Sequence, residues 1–156
     1  MRELPAVVGR EWFAALVIRT DYGDETAWQA VVAELMRPWG DEQYDAQVHL
    51  VDDPVWAGAM PDEVKIAVNA ADDVSAAFLA DATTMRGEHR ALLAVRIRDE
   101  EWDDLEDEEW AKFRRPFRTE PSGVHDIHAN LSIANMDFEE FGDAAQQDPD
   151  GVFRGF

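Results

Sequence analysis

The chain has 156 residues, and 34 Asp and Glu against 14 Lys and Arg give it a formal net charge of −20 at pH 7. A chain of this length suits one domain that buries about 70% of its unfolded surface, and 46% apolar residues with six Trp and eight Phe separate it from an acidic disordered chain. It has no cysteine, which excludes disulfides, thiolate nucleophiles, thiolate-bound zinc and iron–sulfur clusters, while the charge disfavours nucleic acid and anionic lipid as ligands and favours cations.

Phe13 to Thr20 (FAALVIRT) is continuously apolar with β-branched residues near its end, the pattern of a strand buried on both faces of a parallel sheet. Its apolar run stops after six residues at Arg19, too short for a signal-peptide core or a membrane span, so a cytoplasmic protein without membrane contact is expected. After a turn over Asp21 to Glu25, apolar residues from Ala27 and Trp28 to Leu35 and Met36 recur at helical spacing until Pro38 and Gly40. Gln47 to Val51 then reads as a second strand, and Asp52-Asp53-Pro54 opens a weaker helix toward Val68.

Ser75 to Ala80 and Ala91 to Arg98 read as a third and a fourth strand. The short span Asp81 to Arg90 between them favours a hairpin-like return, and the alternating Arg96 and Arg98 suggest a solvated face or a sheet edge. The expected fold is therefore α/β: a mixed sheet with an N-terminal strand-helix-strand unit, three parallel strands, an antiparallel addition and a helical C-terminal part. No repeat or linker divides the chain, so residues 1–156 are expected to form a single acidic globular domain.

Asp99 to Glu109 holds nine acidic residues in eleven. Trp102, Leu105, Trp110 and Phe113 would share one face if this segment is helical, as in a solvated acidic helix or a docking surface. Phe117 to Thr119 returns to the sheet before Pro121, Ser122 and Gly123 break it. Ile127, Leu131, Ala134, Phe138 and Phe141 then follow a helical core spacing. Asp137 with Glu140 three residues on forms a capping box, so two helices joined near Asn135 and Met136 are expected.

Glycine-rich phosphate loops, serine elbows and paired-histidine zinc-protease motifs do not occur, and none of Ser75, Ser122 and Ser132 has a nucleophile setting. The most specific constellation is positional. Each expected parallel strand ends in aspartate, at Asp21, Asp52-Asp53 and Asp81, and carboxylates gathered at the C-terminal edge of a parallel sheet are what Mg²⁺ requires. Asp21, Asp53 and Asp81 are accordingly candidate metal ligands for phosphoryl transfer or hydrolysis, with Arg19 and Thr83 or Thr84 as supporting groups. Aspartate at a strand-to-helix junction is more often a helix cap.

His125 and His128, with Asp126 and Asp137 nearby, have the spacing of a metal-binding helical face, although helix-start or surface histidines are commoner. His49 reads as a hydrogen-bonded core residue and His89 as a loop residue. Trp12, Trp28, Trp39 and Trp56 are pocket candidates, with core packing the commoner fate.

At IRTDYGDETAW, VDDPVWAG, FLADATT and NLSIANMDFEEFGDAA with the ending DGVFRGF, the chain resembles an uncharacterised actinobacterial family, a domain of unknown function. The resemblance spans most of the chain in order and implies no activity, cofactor or catalytic residue. Residues 99–112 depart from it and read as an acidic insertion. The favoured function is a non-enzymatic, cofactor-free binding module of the inhibitor or immunity type that recognises a cationic protein. Trp102, Asp103, Asp104, Glu106, Asp107 and Trp110 are its candidate contacts. The Mg-dependent enzyme is the alternative.

Overall fold

The structure, a computed structural model, describes residues 4–5, 7, 13–40, 42–69, 74–97, 115–133 and 136–154. Strand β1 (Ala15–Arg19) lies inside the sheet and all five of its residues are buried. It pairs in parallel with β2 (Val48–Val51) on one side and β3 (Ala76–Ala80) on the other. Antiparallel β4 (Leu92–Arg96) and β5 (Phe117–Thr119) extend the sheet, and β6 (Val152–Phe153) adds in parallel to β5, giving the order β2-β1-β3-β4-β5-β6. The fold is α/β with a mixed sheet, as the sequence pattern requires.

The continuous apolar character of β1 follows from two cores. Successive side chains leave a strand on opposite faces, so Ala15 and Val17 enter one core while Leu16 and Ile18 enter the other. Helix α1 (Glu25–Leu35) covers the first core with Trp28, Val31 and Leu35, and its first turn is capped by Asp24, whose side chain accepts from Ala27 N at 2.9 Å. The second core is closed by Trp56 from a 3₁₀ turn (Pro54–Trp56) and by Val64 and Val68 from α2 (Pro61–Asn69). A short helix, α3 (Ala82–Arg86), follows β3. The C-terminal helices α4 (Pro121–Ser132) and α5 (Phe138–Gln147) return to the first core through Val124, Ile127, Phe138 and Phe141. The Asp137–Glu140 capping box forms as expected.

Four local expectations need correction. The return from β3 to β4 is antiparallel, but it contains α3, because Asp81 and Thr84 build a reciprocal capping box there. Strand β4 is no sheet edge: it is hydrogen-bonded to β3 and β5, and its end residue Arg96 is half-buried. Pro121 to Gly123 form the first turn of α4, where proline's missing N–H costs nothing. Asp53 and Pro54 open only the 3₁₀ turn, and α2 begins at Pro61. Strand β6 was not visible in the sequence, since two residues carry no periodicity. Among the described residues no helix is long and apolar enough to cross a membrane.

Candidate functional site

Parallel pairing brings the C-terminal ends of β2, β1 and β3 to one edge, and the junctions after β1 and β3 touch: Thr20 N and Asp21 N both donate to Ala80 O. The carboxylates there carry out local work. Asp21 accepts from Gly23 N at 3.1 Å, and Asp53 caps the 3₁₀ turn by accepting from Val55 N at 3.0 Å. Asp81 caps α3 and also takes the Arg118 guanidinium in a two-pronged pair, at 2.8 and 2.9 Å. Burial alone would raise the Asp81 pKa, but Arg118 and the two Thr84 hydrogen bonds outweigh it and hold the carboxyl below its ordinary value. Among the described residues, no group of three or more His, Cys, Asp or Glu side chains is placed to hold a metal ion.

The supporting groups at this edge are committed too. Arg19 is 3% exposed, donates from Nε to Asp21 O at 2.9 Å, and pairs with Glu25 at 2.8 Å and Asp52 at 3.4 Å. Its guanidinium lies 4.2 Å from the Tyr22 ring centroid and 5.3 Å from that of Trp28. The Tyr22 hydroxyl is buried without a well-formed hydrogen bond; burial and the neighbouring Asp52 carboxylate push its pKa up to about 12. Thr84 is buried, its hydroxyl donating to Ala91 O at 2.9 Å. Thr83 is exposed.

His125 and His128 do share a face of α4, but they act as struts. His125 Nε2 lies 2.8 Å from Leu35 O, at the end of α1, and His128 Nε2 lies 2.6 Å from Phe13 O, just before β1. A carbonyl oxygen only accepts, so Nε2 carries a proton in each ring. Burial lowers the His125 pKa against the opposing pull of Leu35 O and Asp126, which leaves the ring neutral at pH 7. His49 sits half-buried on edge strand β2, contrary to the core position expected of it. His89 lies 3.3 Å from Asp150 beside Arg154, which itself pairs with Asp148, Asp150 and Glu120 at 2.8, 2.7 and 3.2 Å.

Two adjoining cavities lie between the segment that follows α1 and helix α4, and a third, of about 400 Å³, lies apart from them against β5 and α5. Trp39 stacks on His125, with ring centroids 5.5 Å apart and planes 16° from parallel, and the Tyr44 ring lies 5.4 Å from that of Trp39. A tight turn makes this possible. Trp39 and Tyr44 exchange two backbone hydrogen bonds, and Gly40 (φ 77°) and Gln43 (φ 56°) take the left-handed conformation between them. Two cavities share Trp39 and His125. One, of about 510 Å³, mixes charges: Glu34, Glu88, Glu120 and Asp126 with Arg37 and Arg154. The other, of about 460 Å³, is walled by Phe13, Trp39, Tyr44, His125, His128 and Ala129, with Asp45 and Gln47 as its remaining lining residues.

Of the four tryptophans considered as pocket residues, Trp28 and Trp56 are core at 2% exposure each, Trp39 lines both cavities, and Trp12 lies outside the described residues. The candidate contacts Trp102, Asp103, Asp104, Glu106, Asp107 and Trp110 also lie outside the described residues. Sequence reasoning passed over Phe13, Tyr44 and Asp45. The available signal was Trp39 itself, set between a helix-ending proline and a glycine where no core element calls for it.

No curated protein and no solved structure gives a significant match to this chain. The profile of a family described as Domain of unknown function (DUF6924) matches residues 14–156, so the chain belongs to that family.

Proposed function

We propose that this chain is a non-enzymatic binding domain, of the inhibitor or immunity type, that recognises a cationic protein partner. The observation that carries this reading is where the positive charge goes. Arg19, Arg90, Arg118 and Arg154 are each paired with carboxylates of the same chain, which leaves an excess of acidic groups on a molecule of net charge −20. Helix α5 displays part of that excess: the pKa of Glu139 is raised by burial and by the neighbouring Asp137 and Asp143. The acidic segment from Asp99 to Glu109 adds nine carboxylates, with Trp102 and Trp110 as aromatic anchors beside them.

A surface of one sign accelerates encounter with the opposite sign and makes the rate depend on salt. The test is affinity capture from a lysate of the source organism, purification of the captured protein, and measurement of its association rate between about 25 and 400 mM salt. A basic partner whose rate falls at least about tenfold across that range supports the reading. Replacing Asp103, Asp104, Glu106 and Asp107 by their amides should then slow association several-fold. Capture of no partner, or a rate indifferent to both salt and the amide variant, overturns it.

A further inference from the structure

Resting on that reading, we infer that the 460 Å³ cavity beside Trp39 is an anchor pocket for an arginine side chain of the cationic partner. Its described lining supplies three aromatic rings, Phe13, Trp39 and Tyr44, and a carboxylate, Asp45, and among the described residues includes neither Lys nor Arg. Asp45 and Tyr44 are exposed, so both are accessible from solvent.

The His125 ring, stacked on Trp39, favours a hydrogen-bond donor as ligand. His125 holds its proton on Nε2, where it bonds Leu35 O, and its buried ring is neutral, so its other nitrogen is an acceptor. An anion would meet Asp45 with no Lys or Arg among the described lining residues to compensate it. A neutral apolar ligand would leave Asp45 and Gln47 unused.

A guanidinium satisfies the whole set. It is planar, stacks on aromatic faces, presents a fork of donors to a carboxylate, and is weakly hydrated enough to enter a largely apolar cleft. The ammonium of lysine is compact and strongly hydrated, and it makes poorer use of the rings. The pocket therefore takes one arginine, and the acidic surface around it steers the partner.

The experiment uses the whole, isotope-labelled chain and three probes at matched ionic strength: N-acetylarginine amide, its neutral isostere N-acetylcitrulline amide, and N-acetyllysine amide. Nuclear magnetic resonance titration should show saturable shifts of the Trp39 indole N–H and of the Tyr44 and Ala129 amides with the arginine probe. Citrulline should produce none, and lysine should bind at least about fivefold more weakly. Asp45→Asn and Tyr44→Ala, both at exposed positions and checked for unchanged thermal unfolding, should each weaken the arginine probe at least about threefold. Shifts scattered over the acidic surface, equal binding of lysine or citrulline, or indifference to both variants overturn the pocket. Failure here is separable from failure of the broader reading. If a captured basic partner keeps its salt-dependent rate and its affinity toward the Asp45→Asn, Tyr44→Ala double variant, the pocket is wrong and the acidic recognition stands. If the arginine probe binds as described and no basic partner is captured, the reverse holds.

Discussion

The C-terminal edge of the parallel strands and the Trp39 cleft are both rich in charged and aromatic side chains, yet they use them in opposite ways. At the strand edge, Asp21, Asp53, Asp81 and Arg19 each close a local hydrogen bond or an ion pair. In the cleft, Trp39, Tyr44 and Asp45 line open volume, and Tyr44 is 52% exposed. A cluster of reactive residue types is therefore a poor guide to a site unless its groups are uncommitted. The strand edge is where the sequence placed its alternative metal ligands; in the cleft, Trp39, Tyr44 and Asp45 face open volume.

Breaking the strand edge should cost stability. The largest effect belongs to Asp81→Ala, which removes the α3 cap and the two-pronged Arg118 pair together, at about 3 kcal/mol by chemical denaturation. Asp81→Asn keeps a capping oxygen and should recover about 1 kcal/mol of that loss. A cost for Asp81→Ala no greater than that of an average surface substitution would show that the pair is ornamental.

Arg19→Met keeps much of the buried stem between Tyr22 and Trp28 but loses the charge, and is expected to cost about 2 kcal/mol. The figure is held down because the partners Glu25 and Asp52 are 65% and 43% exposed and regain water when Arg19 is gone. Asp21→Asn and Asp53→Asn should cost about 0.5 kcal/mol or less, since asparagine serves turns and caps nearly as well. In the cleft, Tyr44→Ala and Asp45→Asn should also stay within about 0.5 kcal/mol in the same denaturation experiment, while changing binding. A large stability loss from the cleft variants would erase the contrast between the two regions.

Acid titration sharpens the same contrast. The folded-state pKa of Asp81 is held below its unfolded value of about 3.9. The unfolded chain therefore binds the proton first, and the contribution of Asp81, complete above about pH 4, is lost as pH falls through the lower folded value. His125 is also depressed in the folded state. Its contribution is complete above its unfolded pKa of about 6.5 and is lost as pH falls below that. Comparing the wild type with Asp81→Asn and with His125→Phe should flatten the stability curve below pH 4 in the first variant and below pH 6.5 in the second.

Much of the fold was legible in short-range pattern. The unbroken apolar run of β1 announced a strand buried on both faces, the turn over Asp21 to Glu25 and the Asp137 capping box announced helix starts, and the parallel β2-β1-β3 unit followed from strands separated by helical segments. The candidate site was far less legible. His125 and His128 have metal-ligand spacing, but the carbonyls of Leu35 and Phe13 they bond lie 90 and 115 residues away. Nothing in the neighbourhood of either histidine reports those partners.

By itself the sequence determined what depends on neighbours along the chain: the starts of α1 and α5, the burial of β1 on both faces, a large negative charge and the exclusion of thiol chemistry. Only the tertiary structure decided which polar groups meet. Arg118 reaches Asp81 across 37 residues, and Trp39 reaches His125 through a turn with two left-handed residues and an antiparallel bridge to Tyr44. Capping and periodicity are local energies that a short window expresses in full. Whether a carboxylate is spent in an ion pair or left facing a cavity depends on which distant elements the buried core brings beside it.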